Sequence, residues 1–108
     1  MERFQQLEGM TPELLKRLSS VFLEDTQPRL EGLWDAVLKK DAEELARLAH
    51  TMKGSAANMG AGKMADICAE LEERAKTGDL QDTQTRLSDL EQEFARVRDA
   101  FSKMSRAS

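Results

Sequence analysis

Apolar residues recur at helical intervals in four stretches of this chain, separated by short polar links. The first stretch follows Thr11-Pro12-Glu13, which combines a hydroxyl cap, a proline at the first helical position and an acid in the first turn. Its apolar residues share one 3.6-residue phase: Leu15, Leu18, Phe22, Leu30, Leu33 and Val37. The pattern predicts a helix to about Lys39, kinked or broken near Pro28, because proline cannot donate the helical hydrogen bond.

The second stretch begins at Asp41. Asp41 followed by Glu44 has the spacing of an N-cap and a capping-box acid, which marks the start of a helix. The apolar pattern carries this helix to about Met59, and Gly60-Ala61-Gly62 then predicts a turn. The only histidine of the chain, His50, lies in the middle of this predicted helix.

Two more amphipathic helices follow the glycine-rich turn. The third ends at Thr77-Gly78, where glycine is suited to terminate a helix, and it carries Met64, Ile67, Cys68, Leu71 and Ala75. The fourth is predicted to start at Asp79 as its cap and to carry Leu80, Leu87, Leu90, Phe94, Val97, Phe101 and Met104. The methionines of these stretches and Trp34 have the spacing of core residues.

Four long helices joined by short links predict an all-α fold, an antiparallel four-helix bundle with a short extra segment at its N-terminus. The 108 residues suffice for one hydrophobic core, so residues 1–108 are predicted to form a single domain. Residues 1–10 are predicted to be a lead-in segment, because Gly9 interrupts the helical spacing of Phe4 and Leu7. Residues 105–108 are predicted to be a frayed tail.

Composition narrows the classes of function. Charged residues make up 33% of the chain and the formal net charge is −4, with both signs mixed, which argues against a nucleic-acid-binding surface. No apolar stretch resembles a signal peptide or a membrane span, so we predict a cytoplasmic protein. The single cysteine, Cys68, cannot form an internal disulfide and follows Ile67 on an apolar face, which favours a buried thiol. One histidine and one cysteine do not make a metal site, so no metal or cofactor is expected.

His50 is predicted to face solvent among small residues. At about 100° per residue from Leu45, the apolar residues of the second helix fall within roughly 60° and define its buried stripe, whereas His50 lies near 140°. On the same side, between about 100° and 180°, lie Ala46, Gly54, Ala57 and Ala61. An exposed imidazole is mostly neutral near pH 7 and offers a nitrogen lone pair as a nucleophile.

Lys53 and Gly54, which follow His50 on the same helix, strengthen the hypothesis that His50 is an exposed nucleophile. Gly54 costs about 0.5 to 1 kcal/mol relative to alanine inside an exposed helix, so its presence favours a surface that a partner approaches closely. Lys53 is spaced so that its ammonium can compensate the charge of a phosphoryl group on His50. The alternatives are that Gly54 relieves crowding against a neighbouring helix and that Lys53 is an ordinary surface lysine.

The stretch from Leu48 to Ala61 resembles the signature of histidine-containing phosphotransfer domains, roughly His-x-[Leu/Met]-Lys-Gly-[Ser/Ala]-[Ser/Ala]-x-x-[apolar]-Gly. The residues that match it are His50, Met52, Lys53, Gly54, Ser55, Ala56, Met59 and Gly60. The resemblance also covers the flanking helices, from the stretch Phe22–Thr26 to the Leu71-Glu72 pair and the final helix. It implies that His50 takes a phosphoryl group from the aspartate of one receiver domain and passes it to another in a two-component phosphorelay.

The resemblance also implies partners and further site residues. The expected partners are response-regulator receiver domains, which would supply Mg²⁺, and a hybrid sensor kinase, with the chain itself a monomer. Members of the family often hydrogen-bond the unphosphorylated ring nitrogen through a Gln or Glu on the next helix and hold the phosphate with a basic residue one turn later. Glu72 and Lys76 fall at these positions, although a surface pair with this spacing often gives only local helix support.

Two hypotheses about the function are compatible with the sequence. Kinase dimerisation helices typically place an acid after the histidine, whereas Thr51 follows His50, and no Walker-type motif is present, so the chain is expected to be a phosphorelay intermediate and not an enzyme. The alternative is a helical-bundle adaptor that binds signalling partners without being phosphorylated.

Overall fold

The computed structural model describes Gly9, residues 11–104 and the backbone of residues 105–106. Within these residues every regular element is an α-helix. The helices are α1 (Pro12–Lys39), α2 (Ala42–Asn58), α3 (Gly62–Thr77) and α4 (Thr83–Arg106). Apart from Gly9, the predicted lead-in 1–10 lies outside the described residues, as do residues 107–108 of the predicted tail. Residues 105–106, which were also predicted to belong to the tail, are the last residues of α4.

The helices form the predicted bundle. Each helix packs on the next along the chain, and α1 also packs on α4, which closes the bundle so that α2 and α4 lie diagonally opposite each other. The short connections make consecutive helices antiparallel neighbours. The all-α four-helix prediction is therefore confirmed.

Helix α1 is one uninterrupted helix, so a break at Pro28 is the wrong expectation. The Thr11 side chain accepts a hydrogen bond from the Leu14 backbone N–H at 3.2 Å, as predicted for the cap. Pro28 is exposed, which leaves the carbonyl that lacks a helical donor free to be hydrated. Leu18 shares the phase of the buried residues of this helix but lies at the edge of their stripe and is 36% exposed.

Helix α2 begins where the sequence predicts. The Asp41 carboxylate accepts a hydrogen bond from the Glu44 backbone N–H at 3.1 Å. The helix ends at Asn58, after which Gly60 takes a positive φ of 76° and the Ala61 N–H donates to the Ala56 carbonyl at 2.9 Å. The chain therefore leaves the α2 helix before Ala61.

Helix α4 begins at Thr83, three residues after the predicted first helical residue, because Asp79 does not cap it. The Asp79 carboxylate instead accepts from the Gln81 backbone N–H at 3.1 Å, which closes a turn. Thr83 then starts the helix, and its hydroxyl donates to the Leu80 carbonyl at 2.7 Å. Leu80 packs against the core from this turn rather than from the helix.

The core fixes which face of α2 points outward. The residues of α2 predicted to be buried are buried: Leu45, Leu48, Ala49, Met52 and Ala56, followed by Met59. Gly32 of α1 lets the two helices approach, since a Cβ there would lie 3.0 Å from Cδ1 of Leu48. With this stripe held against α1 and α3, the opposite face of α2 carries His50 into solvent.

Candidate functional site

His50 lies near the middle of α2 and faces solvent, with 68% of its side chain exposed. This agrees with the angle computed from the apolar stripe. The ring is not free to rotate, because its Nδ1 atom lies 3.0 Å from Oε2 of Glu72 on α3. One ring nitrogen is therefore anchored, and the other side of the ring is open.

Glu72 is the least exposed residue of the site. Only 6% of its side chain is accessible, which corrects the expectation of a surface pair with Lys76. Besides His50, it contacts two ammonium groups: Lys53 Nζ lies 2.6 Å from Oε1, and Lys76 Nζ lies 3.1 Å from Oε2. The structure thus brings together four residues that the sequence proposed, with one carboxylate at their centre.

The lysines keep Glu72 ionised. The hydrogen bond from Lys53 is the strongest influence and lowers the pKa of this carboxyl to about 2, with smaller contributions in the same direction from Lys76 and His50. Burial acts in the opposite direction but is outweighed. At neutral pH Glu72 is a carboxylate, and a carboxylate can only accept hydrogen bonds.

The ionised Glu72 determines the tautomer of a neutral His50. Because the carboxylate cannot donate, Nδ1 must carry the ring proton and donate it to Oε2. The lone pair of the neutral imidazole then resides on Nε2. In an exposed ring anchored at Nδ1, this nitrogen is available to an incoming electrophile.

Lys53 is half-buried, with 37% of its side chain exposed, whereas Lys76 is 61% exposed. Lys53 therefore loses more hydration, and its contact with Glu72 is the shorter of the two. Cys68, also on α3, is fully buried as predicted, and burial raises the pKa of its thiol to about 12 despite the nearby Lys53. This thiol is protonated at neutral pH and offers no second nucleophile.

The small residues predicted around His50 divide into three groups. Gly54 and Ala57 are exposed on the same face as His50, one and two turns along α2. Ala46, one turn before His50, is half-buried against the core. Ala61 is fully buried, so its predicted place on the docking surface is wrong. The 100° rule fails there because Gly60 turns the chain out of the helix.

Gly54 is not needed for packing within the bundle. A Cβ added at this position would meet nothing within 4 Å. The alternative that glycine relieves crowding against a neighbouring helix is therefore contradicted. Because their side chains are small, Gly54 and Ala57 leave an open strip on the surface of α2 beside His50. A partner surface could approach the helix backbone closely there.

The burial of Glu72 is the feature that sequence reasoning missed. A signal was present: Glu72 lies four residues after Cys68 and three before Ala75, at the edge of the buried stripe of α3. A carboxylate at such a position needs partners, because an unpaired buried charge is very costly. His50 and Lys53, on the helix packed against α3, are those partners.

The fold and the site together define a class of protein: a helical bundle that presents one exposed, hydrogen-bonded histidine on the outer face of a helix. Comparison with known proteins gives the family. The sequence model of the Hpt domain matches residues 17–100, and the chain belongs to the Hpt domain family.

Individual relatives agree with this assignment. The chain is 35% identical over 65 residues to the phosphorelay protein LuxU of two Vibrio vulnificus strains, YJ016 and CMCP6, and this match covers 60% of the chain and 56% of LuxU. It is 38% identical to histidine-containing phosphotransfer protein B (HptB) of Pseudomonas aeruginosa PAO1, with a TM-score of 0.81 over 84% of this chain and 79% of HptB. The fold also matches maize ZmHP2, with a TM-score of 0.86 at 23% identity over 97% of this chain and 87% of that one.

Within residues 11–106, no helix is both long and apolar enough to cross a membrane.

Proposed function

We propose that His50 accepts a phosphoryl group from the aspartyl phosphate of one receiver domain and passes it to the aspartate of another receiver domain. The observation that carries this proposal is the hydrogen bond between Nδ1 and the ionised Glu72 at 3.0 Å, which leaves the Nε2 lone pair on the open side of an exposed ring. Membership of the Hpt domain family supports the same reaction.

The transfer needs little equipment on this side of the complex. Phosphoryl transfer depends mainly on in-line placement of the nucleophile and on neutralisation of charge around phosphorus. The helix supplies the placement, and Lys53 supplies a cation that moves from Glu72 toward the arriving phosphate. Lys76 assists from the more exposed side. The strip of Gly54 and Ala57 admits the receiver's active site, with Ala46 at its edge.

The remaining parts of the proposal concern partners and place. The receiver domain supplies Mg²⁺, and the chain itself requires no metal or cofactor. A hybrid sensor kinase supplies the phosphoryl group through its receiver domain, so this chain acts as a carrier without ATP chemistry of its own. It works as a monomer in the cytoplasm and binds neither nucleic acid nor membrane.

The proposal is tested by phosphotransfer to His50. The protein is mixed with a ³²P-labelled receiver domain and Mg²⁺, and wild type is compared with His50→Gln. We expect acid-labile, alkali-stable label on wild type only, with unchanged helical content in the variant by circular dichroism. Binding of the receiver by both proteins without label on either would contradict the carrier and favour the adaptor.

A further inference from the structure

The Glu72 carboxylate is placed to influence the charge of the His50 ring. Its Oε2 atom is shared by His50 Nδ1 at 3.0 Å and Lys76 Nζ at 3.1 Å, while Oε1 takes Lys53 Nζ at 2.6 Å. With only 6% of its side chain exposed, water screens this carboxylate poorly. An anion held this close to Nδ1 stabilises a positive charge on the ring.

The proposed reaction creates such a charge. When the Nε2 lone pair attacks phosphorus, the N–P bond forms, the bond from phosphorus to the aspartyl oxygen breaks, and the receiver's carboxylate leaves with the electron pair. The ring then carries both the phosphoryl group on Nε2 and the original proton on Nδ1, so it is an imidazolium. In the second step a carboxylate oxygen attacks phosphorus, the N–P bond breaks, and its electron pair returns to Nε2.

The leaving group of the second step depends on the Nδ1 proton. If the proton is present, a neutral imidazole leaves and no proton moves in either step. If the proton has dissociated, the ring must leave as imidazolate, which is a far more basic and therefore poorer leaving group.

We infer that Glu72 is a positioning residue that keeps the proton on Nδ1 while His50 carries the phosphoryl group, so that His50 leaves as a neutral imidazole. This inference rests on the proposed function and adds to it a role for the negative charge of Glu72. An amide at the same place could accept the same hydrogen bond but would not hold the proton electrostatically.

The other charged groups at the site act in the opposite direction. Lys53 on α2 and Lys76 on α3 both disfavour a cationic ring, and Cys68 on α3 is neutral because the pKa of its thiol is about 12. Among the described residues of α1 and α4, none forms an ion pair with His50 or Glu72. Removing Glu72 and removing a lysine should therefore change the ring's affinity for its proton with opposite signs.

The experiment uses phosphoramidate, a small donor that phosphorylates imidazoles directly, so that no receiver is needed to load His50. The ³¹P chemical shift of the phosphorylated ring is then followed against pH in wild type, Glu72→Gln and Lys53→Met. We expect the midpoint for loss of the Nδ1 proton to fall by about one pH unit in Glu72→Gln, which is about a tenfold loss of protonated ring above the midpoint. In Lys53→Met the midpoint should rise.

Equal midpoints in wild type and Glu72→Gln would overturn the inference. A fall in both variants would also overturn it, because that result indicates a general disturbance of the site. The loaded wild-type protein is then mixed with receiver domains and Mg²⁺. Failure to transfer, together with the expected midpoints, would contradict the proposed function and leave the role of Glu72 intact.

Discussion

Lys53 is paired with a carboxylate before any phosphate arrives, although its proposed task is to neutralise phosphate. The 2.6 Å contact with Glu72 orders its long side chain near His50 and so reduces the entropy lost when it turns to a new anion. The carboxylate therefore orients the lysine as well as the histidine. Both contributions can be separated by substitution.

We predict that Lys53→Met lowers the rate of phosphoryl transfer by about ten- to a hundredfold and weakens receiver binding much less, because the lost charge acts mainly on the transferring group. Rapid-quench kinetics measures the rate, and calorimetry measures the binding. Lys76→Met is the matched control, and its effect should be smaller because this side chain is 61% exposed and better screened. Unchanged kinetics in Lys53→Met would contradict the role of Lys53.

The charge of Glu72 should also contribute to folding in a pH-dependent way. Its pKa is about 2 in the folded protein against an ordinary value of 4.5, so ionisation favours the folded state. This contribution is fully present above about pH 4.5 and is lost as the pH falls toward 2. Urea unfolding should show that Glu72→Gln is less stable than wild type at pH 7 and that the gap closes below pH 4.5.

The exposed neighbour on the same helix, Glu73, supplies the control for this measurement. Glu73→Gln removes the same charge from α3 without touching His50 or Lys53, so we expect little difference from wild type at any pH. A gap between wild type and Glu72→Gln that stays constant from pH 7 to pH 3 would show that the effect is steric and not electrostatic.

Residues differ in how well the sequence predicts their surroundings. The exposure of His50 and Gly54 follows from their angle to the buried stripe of α2, because the two residues and the stripe belong to the same helix. The burial of Glu72 does not follow, because it depends on how α3 packs against a residue 22 positions away. Periodicity predicts which face of its own helix a residue occupies. How deeply a residue at the edge of the buried face is covered depends on the neighbouring helix.

At the scale of helices, the start signals of α1 and α2 are reliable because Thr11 and Asp41 each accept the hydrogen bond expected of a cap. Asp79 is an aspartate like Asp41, but its side chain closes a turn, and α4 starts at Thr83. An Asp before an apolar series can serve either purpose. Here the Asp79 carboxylate accepts from the Gln81 N–H, and Leu80 packs against the core from the resulting turn.

Two glycines allow a test of what each contributes to its helix. Gly54 is helical and its Cβ position is open, so Gly54→Ala should stabilise the protein by about 0.5 to 1 kcal/mol. Gly78 ends α3 with φ of 78°, a conformation that costs an alanine about 1 kcal/mol or more, so Gly78→Ala should destabilise by a similar amount. Urea unfolding measures both. Destabilisation by Gly54→Ala would mean that the glycine serves the fold after all.

At the scale of the molecule, the order of the helices decides which face is available to a partner. Helix α2 is packed on α1 and α3, while α4 completes the bundle on the diagonal, so nothing in the described structure covers the outer face of α2. The bundle could be predicted from four helical stretches with short links. The placement of His50 on an uncovered face then follows, because α2 has only one buried stripe.

We predict that this outer face is the receiver-docking surface and that Gly54→Gln blocks it without harming the fold. The glutamine side chain would stand one turn from His50 in the open strip and hold a docked partner away from the ring. Receiver affinity should fall about tenfold or more, equivalent to about 1.4 kcal/mol, and transfer should slow at least as much. Titration calorimetry and the transfer assay measure the two effects.

Ala95→Gln is the matched control for the docking surface. Ala95 is exposed on α4, across the bundle from α2, so the same bulk added there should change neither affinity nor transfer. Both variants should keep the helical content of wild type. The free energy of unfolding should change by no more than about 0.5 kcal/mol in Ala95→Gln, and Gly54→Gln should be at least as stable as wild type, because glutamine favours a helix more than glycine does. Equal weakening of receiver binding by both variants, or unchanged binding and transfer in a folded Gly54→Gln, would contradict the outer face of α2 as the docking surface.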